Sequence, residues 1–432
     1  MNVQILSTKL ITPSPPTPHH LQNLKVSWID QFYPPRNFVP LIFYYPSNGD
    51  DQNNVERSKQ LQKSLSETLT IFYPLAGRYI DDNLILDCND KRVEYVEAQV
   101  NGCLSQLLEG GELETELRNH LAPHPVQPYH RPLVLIQFNM FESGGVAIGV
   151  CVTHRVADAY TIFAFINAWA TACKLGIDKI EHTPSFQLSS FFPSRETISC
   201  PNPVIGDNQK IVMKRFVFTG AALSKLKAVA RAGVNGSRQP TRLEVVTAVI
   251  WKTLTMVARG NDGRLRPSIL SHPINLRGKT AMPIPNNSCG NFATLALSHF
   301  TADKESKVQL HDFVDRVHNG IKKKVADCAK VSSDDELFRM ATKIGMETTE
   351  AFIKGKVDFY IFKSVCRMPI YEANFGWGKP GWFSGCNTGV EMVFLIDTKD
   401  GDGIEAWLSL EENRMILFQE NPDIKAFTGQ GP

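Results

Sequence analysis

Long apolar runs are missing from this chain of 432 residues. None approaches the roughly 18 residues that a membrane-crossing helix requires, so no membrane partner is expected. The start, MNVQILSTKLITPSPPTPHH, has no cationic stretch followed by an apolar one and does not read as a secretory signal. An excess of one charge is missing too. Lys and Arg number 46 against 44 Asp and Glu, a net charge of +2, which argues against a nucleic-acid partner held by phosphate neutralisation. The one basic run, Lys322 to Lys324, reads as the solvated end of a helix. Paired cysteines are also absent. The nine cysteines are odd in number and widely spaced, with no C-x-x-C. That pattern fits reduced thiols in a cytoplasmic protein rather than a disulfide frame or a zinc site. Finally there is no H-E-x-x-H, no G-x-S-x-G and no G-x-x-x-x-G-K-[ST]. A zinc protease, a serine hydrolase of the elbow type and a phosphate-loop protein therefore lack support.

What is present is material for two folded cores. Apolar residues make up 43% of the chain, and at about 100–200 residues per domain the length suggests two domains. Strand-like and helix-like stretches mix in both halves. VPLIFYYP (39–46) reads as a strand. Residues 55–72 read as a helix, with Leu61, Leu65 and Leu69 four apart and Pro74 and Gly77 ending it. Residues 79–90 read as a hairpin. PLVLIQFNMFESGGVAIGVCVTH (132–154) is two apolar runs joined at Gly144-Gly145, a central hairpin. Ile162, Phe165, Ile166, Trp169 and Cys173 then follow helical spacing, with Gly176 as the stop. After a Pro- and Ser-rich stretch, residues 211–218 read as a strand, 220–233 as a helix capped by Thr219, and 241–260 as a helix opened by a Thr241–Glu244 capping box. A long helix is expected over 308–325 and a hairpin about Asp400-Gly401. The fold class is α/β with mixed sheets. The expected division is a first domain over 1–185, a linker over 186–210 and a second domain over 211–432.

Two stretches carry candidate chemistry. CVTHRVADAY (151–160) places His154 at a strand end with Asp158 four residues on. Imidazole, with an ordinary pKa of about 6.5, can take a proton near neutrality. Such a base activates a weak nucleophile, a hydroxyl or amine, and contributes about 10²–10⁴-fold. Asp158 either orients the ring or holds the turn. Alone, H-x-x-x-D is common by chance, and one His with one Asp is an incomplete metal set, so no metal is expected. Cys151 sits in an apolar strand, where thiols are inert. The second stretch is NFGWGKP (374–380), in which Gly376 and Gly378 permit backbone that other residues resist. Alone it reads as a tight turn.

Together the stretches resemble the plant BAHD acyl-CoA-dependent acyltransferases. YPLAGR (73–78), DCND (87–90), VMKRFVF (212–218), NLRGK (275–279) and CGNFAT (289–294) extend the likeness along nearly the whole chain. SPPTPHHL, GGVAIGVCVTH and DGDGIEAWL are similar to the alkaloid-acetylating branch, vinorine synthase among it. The resemblance implies two chloramphenicol-acetyltransferase-like domains, with mixed sheets flanked by helices and an active-site channel between them. It implies acetyl-CoA as co-substrate, no bound cofactor, a small-molecule alcohol acceptor and a monomer. His154 would be the general base, acting in a ternary complex without an acyl-enzyme. Asp158 would pair with Arg277 and hold geometry. Asn374, where the family has aspartate, would with Phe375, Gly376, Trp377 and Gly378 form a structural turn. Phe38, Tyr44, Tyr160 and Phe163 are candidates for an aromatic acceptor pocket suited to a monoterpene indole or related alkaloid. Alternatives are the same fold with malonyl-CoA or another donor, and a catalytically weak homologue that binds a ligand, for which Asn374 is the one feature.

Overall fold

The computed structural model describes residues 2–34, 37–47, 54–80, 84–109, 118–123, 132–142, 144–196, 198, 210–232, 238–259, 264–301, 308–354, 357–387 and 389–428. The chain forms two compact units, and neither is one continuous stretch. The first takes residues 1–202, 284–292 and 368–386; the second takes 203–283, 293–367 and 387–432. The segment with Asn374 thus belongs to the same unit as His154.

The first unit is built on a six-stranded sheet, ordered Val3–Ile11, Val93–Val100, Val134–Phe141, Val146–Thr153, Phe38–Tyr45 and Trp382–Gly385. Val93–Val100 runs parallel to Val134–Phe141 and the other neighbours are antiparallel. The hairpin read at 132–154 is its centre. Every residue of Val146–Thr153 is buried, which is why that run is continuously apolar and does not alternate. Helix Asn54–Ile71 buries Leu61, Leu65 and Leu69 completely. At about 1.5–3 kcal/mol each, those three side chains alone anchor it. Helix Ala159–Leu175 docks against it, the Trp169 indole donating to the Leu61 carbonyl at 3.1 Å. Residues 78–80 and 85–87 pair as the hairpin read from the sequence; its tip lies outside the described residues.

Residues 184–193, placed mostly in a linker by the sequence reading, are stitched into this unit. Ser185 donates its N–H to Asn287 O at 3.0 Å and accepts from Cys289 N at 2.7 Å. That bridge fixes residues 284–292 to the first unit and brings Gly290 and Asn291 beside helix Ala159–Leu175. The edge strand Val3–Ile11 carries exposed Ile5, Leu6 and Leu10 and has a bulge between Ile5 and Ser7; its weak alternation hid it from periodicity.

The second unit has its own six-stranded mixed sheet, ordered Ala293–Phe300, Ser268–Asn275, Asp358–Ser364, Met392–Asp397, Ile404–Glu411 and Ile211–Phe218. Helices Gly220–Ala232, Arg242–Val257 and Leu310–Ala329 pack Leu226, Val249, Trp251 and Phe313 with Phe362, Leu395 and Leu408 of the sheet. The capping box read at Thr241 and Glu244 is formed in full, and Thr219 Oγ1 accepts from Ala222 N at 3.2 Å. Helix Asp334–Lys354 was not read from the sequence. The α/β class with two helix-flanked mixed sheets is the observed architecture.

Candidate active site

His154 follows the last residue of the buried strand Val146–Thr153, and its N–H donates to Asn37 O at 2.6 Å. The strand fixes the backbone and the ring is half-buried. Its Nδ1 lies 3.2 Å from Asn291 Oδ1. The Asn291 Nδ2 donates to the His154 carbonyl at 2.7 Å and to Asp30 Oδ1 at 2.9 Å. Both of those partners are acceptors, so the NH₂ end of the amide is assigned by chemistry. The oxygen is left for the imidazole, and Nδ1 must carry the ring proton. In the neutral ring Nε2 then holds the lone pair, the state a general base needs. Tyr33 lies flat on the ring, with centroids 4.1 Å apart and planes within 7°. Loss of hydration, followed by the charges of Asp158 and Asp30, pushes the Tyr33 phenol up, so the stacked ring is neutral.

Asp158 is the N-cap of helix Ala159–Leu175. Its Oδ1 accepts from Thr161 N and Thr161 Oγ1, each at 3.0 Å, and its Oδ2 accepts from Phe292 N at 3.1 Å. Thr161 Oγ1 also accepts from Gly290 N at 3.0 Å. Gly290 has φ +119°, and a Cβ there would meet Leu188 Cδ1 at 2.9 Å. One carboxylate thus ties the helix start to the segment that carries Asn291. Both its oxygens accept from donors, as those of an N-cap aspartate do.

The NFGWG segment is a turn held from inside. Asn374 Oδ1 accepts from Gly376 N at 2.9 Å and Gly378 N at 3.2 Å. Gly376 and Gly378 have φ +116° and +117°, a conformation that side chains with Cβ resist. Phe375 packs edge-on to Trp169 at 4.7 Å, and Arg57 lies over the Trp377 ring at 5.6 Å. The Tyr45 hydroxyl donates to Ala373 O at 2.8 Å. Gly376, Gly378 and Gly381 happen to match G-x-G-x-x-G, but the loop leads into strand Trp382–Gly385 and opens no helix, so it is not a dinucleotide loop.

The profile of the Transferase family matches residues 1–424. Stemmadenine O-acetyltransferase of Catharanthus roseus is 36% identical, over 97% of this chain and 96% of that protein. Acetyl-CoA-benzylalcohol acetyltransferase of Clarkia breweri is 34% identical, over 99% and 100%. The crystal structure of vinorine synthase superposes with a TM-score of 0.84 at 31% identity, covering 99% of this chain and 98% of that one. The chain belongs to the BAHD acyltransferase family. It is an acyltransferase with acyl-CoA as co-substrate. Among the described residues no group of three His, Cys, Asp or Glu is placed to hold a metal ion, and no helix is long and apolar enough to cross a membrane.

Of the residues weighed from the sequence in this BAHD structure, Tyr44 and Phe163 lie in the core. Tyr44 is wholly buried, its hydroxyl 3.0 Å from Ser384 Oγ and its ring 5.0 Å from Trp382. Phe163 is buried against Phe383 at 6.0 Å. Both are core residues of the first unit, because strand Trp382–Gly385 covers them. Phe38 and Tyr160 are half-buried. Arg277 stands in the second unit, where its guanidinium and its N–H both donate to Asn275 Oδ1, at 3.0 and 3.1 Å.

Four residues around the histidine escaped the sequence reading: Asp30, Tyr33, Arg155 and Asn291. Arg155 is buried, and it donates to the carbonyls of Gln31 at 2.9 Å and Tyr33 at 2.7 Å while lying over the Tyr79 ring at 4.6 Å. It therefore holds in place the turn that presents Tyr33 to the imidazole. A signal for Asp30 was available. Ser27 and Asp30 have the S-x-x-D spacing of a capping box, which the short helix Trp28–Gln31 forms in full.

Proposed function

We propose that the chain is an acetyl-CoA-dependent O-acetyltransferase and that His154 is its general base. In this reading Nε2 takes the proton of an acceptor hydroxyl as the oxygen attacks the thioester carbonyl. The tetrahedral intermediate collapses, the carbon–sulfur bond breaks, and the imidazolium returns its proton to the departing thiolate. The products are an acetyl ester and free coenzyme A. The observation that carries the reading is the hydrogen bond between His154 Nδ1 and Asn291 Oδ1, which leaves Nε2 as acceptor. Asp158 acts on the position of the histidine segment.

The acceptor is proposed to be an alcohol of plant specialised metabolism, an alkaloid in the first instance. Stemmadenine O-acetyltransferase and vinorine synthase among the relatives support this. Phe38 and Tyr160 are the aromatic candidates for its pocket. A cytoplasmic monomer is the matching setting, and the described cysteines, all free thiols, agree with a reducing compartment. The Asn374 turn supports a working enzyme over a weak homologue, because asparagine meets both glycine N–H groups.

The test is coenzyme A release, followed with a thiol reagent, from acetyl-, malonyl- and aromatic acyl-CoA and a panel of alkaloid alcohols. Acetyl-CoA with a polycyclic alkaloid alcohol is expected to turn over fastest. Release that persists undiminished in His154→Ala removes the base assignment.

A further inference from the structure

We propose that Asp30 is a positioning residue that locks His154 in its Nδ1–H tautomer by dictating which way the Asn291 side-chain amide faces. The proposal deepens the general-base reading and rests on it for its catalytic consequence. An asparagine amide has nearly the same shape at both ends. With its oxygen toward His154 Nδ1, the ring must place its proton on Nδ1 and leave Nε2 able to accept. With its NH₂ toward Nδ1, the ring must place its proton on Nε2 and cannot serve as base there. The imidazole alone does not choose, since either pairing makes one hydrogen bond.

The choice is made at the other end of the amide. Asp30 Oδ1 accepts from both the Asn291 main-chain N–H and Asn291 Nδ2, each at 2.9 Å. The His154 carbonyl takes the second Nδ2 proton at 2.7 Å. Rotating the amide would set its oxygen against a carboxylate and a carbonyl, two acceptors, and would lose two hydrogen bonds. Asp30 is itself pinned. Its Oδ2 accepts from Ser27 N at 3.0 Å and Ser27 Oγ at 2.7 Å, and its own N–H donates back to Ser27 Oγ at 3.2 Å. Asp30 is 6% exposed. Burial raises its carboxyl, and the four donors from Ser27 and Asn291 oppose that rise. A capping-box aspartate at a four-residue helix thereby has a second task, two hydrogen bonds removed from the imidazole. The general precedent is that holding a catalytic imidazole in the wrong tautomer, with geometry intact, lowers turnover by orders of magnitude.

The experiment uses the full-length chain with ¹⁵N-labelled histidine. Two-bond ¹⁵N–¹H spectra at a pH where the ring is neutral give its tautomer, and the His154 signals are assigned by their loss in His154→Asn. Wild type is expected to show protonated Nδ1 and unprotonated Nε2. Asp30→Asn keeps the shape but lets an NH₂ face Asn291. It should shift the signals toward protonated Nε2 and lower kcat about tenfold or more, with KM for acetyl-CoA changed less than about threefold. The double variant Asp30→Asn/Asn291→Asp returns an acceptor to Nδ1 whichever way the side chain turns, and should restore the protonated-Nδ1 signature. Asp30→Ala is a harsher version, and its possible misfolding leaves Asp30→Asn as the deciding variant. A folded Asp30→Asn protein whose His154 still carries its proton only on Nδ1 overturns the proposal. The spectra need no turnover, so they judge the lock even where the His154→Ala assay has already removed the base assignment.

Discussion

His154 and His272 both stand on or at the end of a sheet strand, one in each unit, and their surroundings share little. His154 is half-buried, bonded through Nδ1 to Asn291 and stacked on Tyr33. His272, on strand Ser268–Asn275, is 6% exposed, and its Nδ1 has no hydrogen-bond partner among the described residues. Burial alone pushes the His272 imidazole down to about 4. The comparison teaches that a strand supplies a fixed ring and nothing more. On the proposed reading, what fits His154 to act as a base is a polar shell that chooses the proton's side and leaves the ring within reach of solvent. Among the described residues nothing of that kind meets His272 Nδ1, and the ring is buried. The sharpest way to break the comparison is to remove each ring. His154→Ala should lower kcat/KM about 10³-fold, within the range of a general base. His272→Leu should change it by less than about threefold. Coenzyme A release measures both, and an equal loss in the two variants would end the distinction.

Asp158 sets a second contrast, between holding a ring and being one. Asp158→Ala removes the N-cap of helix Ala159–Leu175, worth about 1 kcal/mol. It also leaves the buried Phe292 N–H without its acceptor, at about 1–3 kcal/mol. The sum, about 3 kcal/mol, corresponds to a fall in melting temperature of about 6–12 °C for a unit of this size. A thermal melt reads it directly. Activity should fall along with stability, whereas His154→Ala should melt like wild type. A variant that loses activity with an unchanged melt would make Asp158 a chemical participant.

The sequence held the fold where periodicity is strong and the site where the reactive group is distinctive. The central hairpin at 132–154, the helices at 54–71, 159–175 and 242–257, and the Thr241 capping box were all legible, because each has an apolar period or a cap of its own. His154 and Asp158 stood out as candidates only when H-x-x-x-D was taken together with NFGWG as a family resemblance, since the spacing alone is common by chance. Asp30 and Asn291 did not, although CGNFAT and SWID lie in plain view. Asparagine and aspartate have local uses in turns and caps, and nothing local marks one whose partner is 261 positions away. The same limit applies to strand Trp382–Gly385, which pairs antiparallel with Phe38–Tyr45. A four-residue strand joined to the other end of the chain has no period to read, and without it Tyr44 and Phe163 pass for pocket residues.

His272 also offers a test by pH. Its folded pKa, about 4, lies below the unfolded value of about 6.5. The unfolded chain therefore binds the extra proton first. The contribution is intact above pH 6.5, declines as pH falls toward 4, and amounts to at most about 3 kcal/mol. Urea unfolding at pH 7, 5.5 and 4.5 should show wild type losing stability faster than His272→Leu. Subtracting the variant's curve removes the carboxylates common to both proteins, Glu244 among them, whose pKa burial raises but hydrogen bonds from Thr241, Arg238 and His318 bring down on balance. Parallel curves would mean that His272 finds a partner in solution, and the contrast with His154 would then rest on position alone.

The smallest effect expected comes from restoring the family's usual aspartate at position 374. The Asn374 oxygen accepts from two glycine N–H groups, and a carboxylate oxygen accepts the same pair with added charge. Asn374→Asp should keep kcat within about threefold and raise the melting temperature by no more than a few degrees, about what one strengthened hydrogen bond contributes. Asn374→Ala, which hands the exposed Gly376 N–H and the half-buried Gly378 N–H to water, should cost about 0.5–1.5 kcal/mol. Near-identity of Asn and Asp together with damage by Ala is the signature of a turn cap, a shell that acts on backbone. The shell around His154 is proposed to act on a proton, and there the reverse exchange, Asp30→Asn, is expected to change the tautomer and the rate. A hundredfold gain in turnover from Asn374→Asp would erase that difference, because it would show charge at position 374 reaching the reaction.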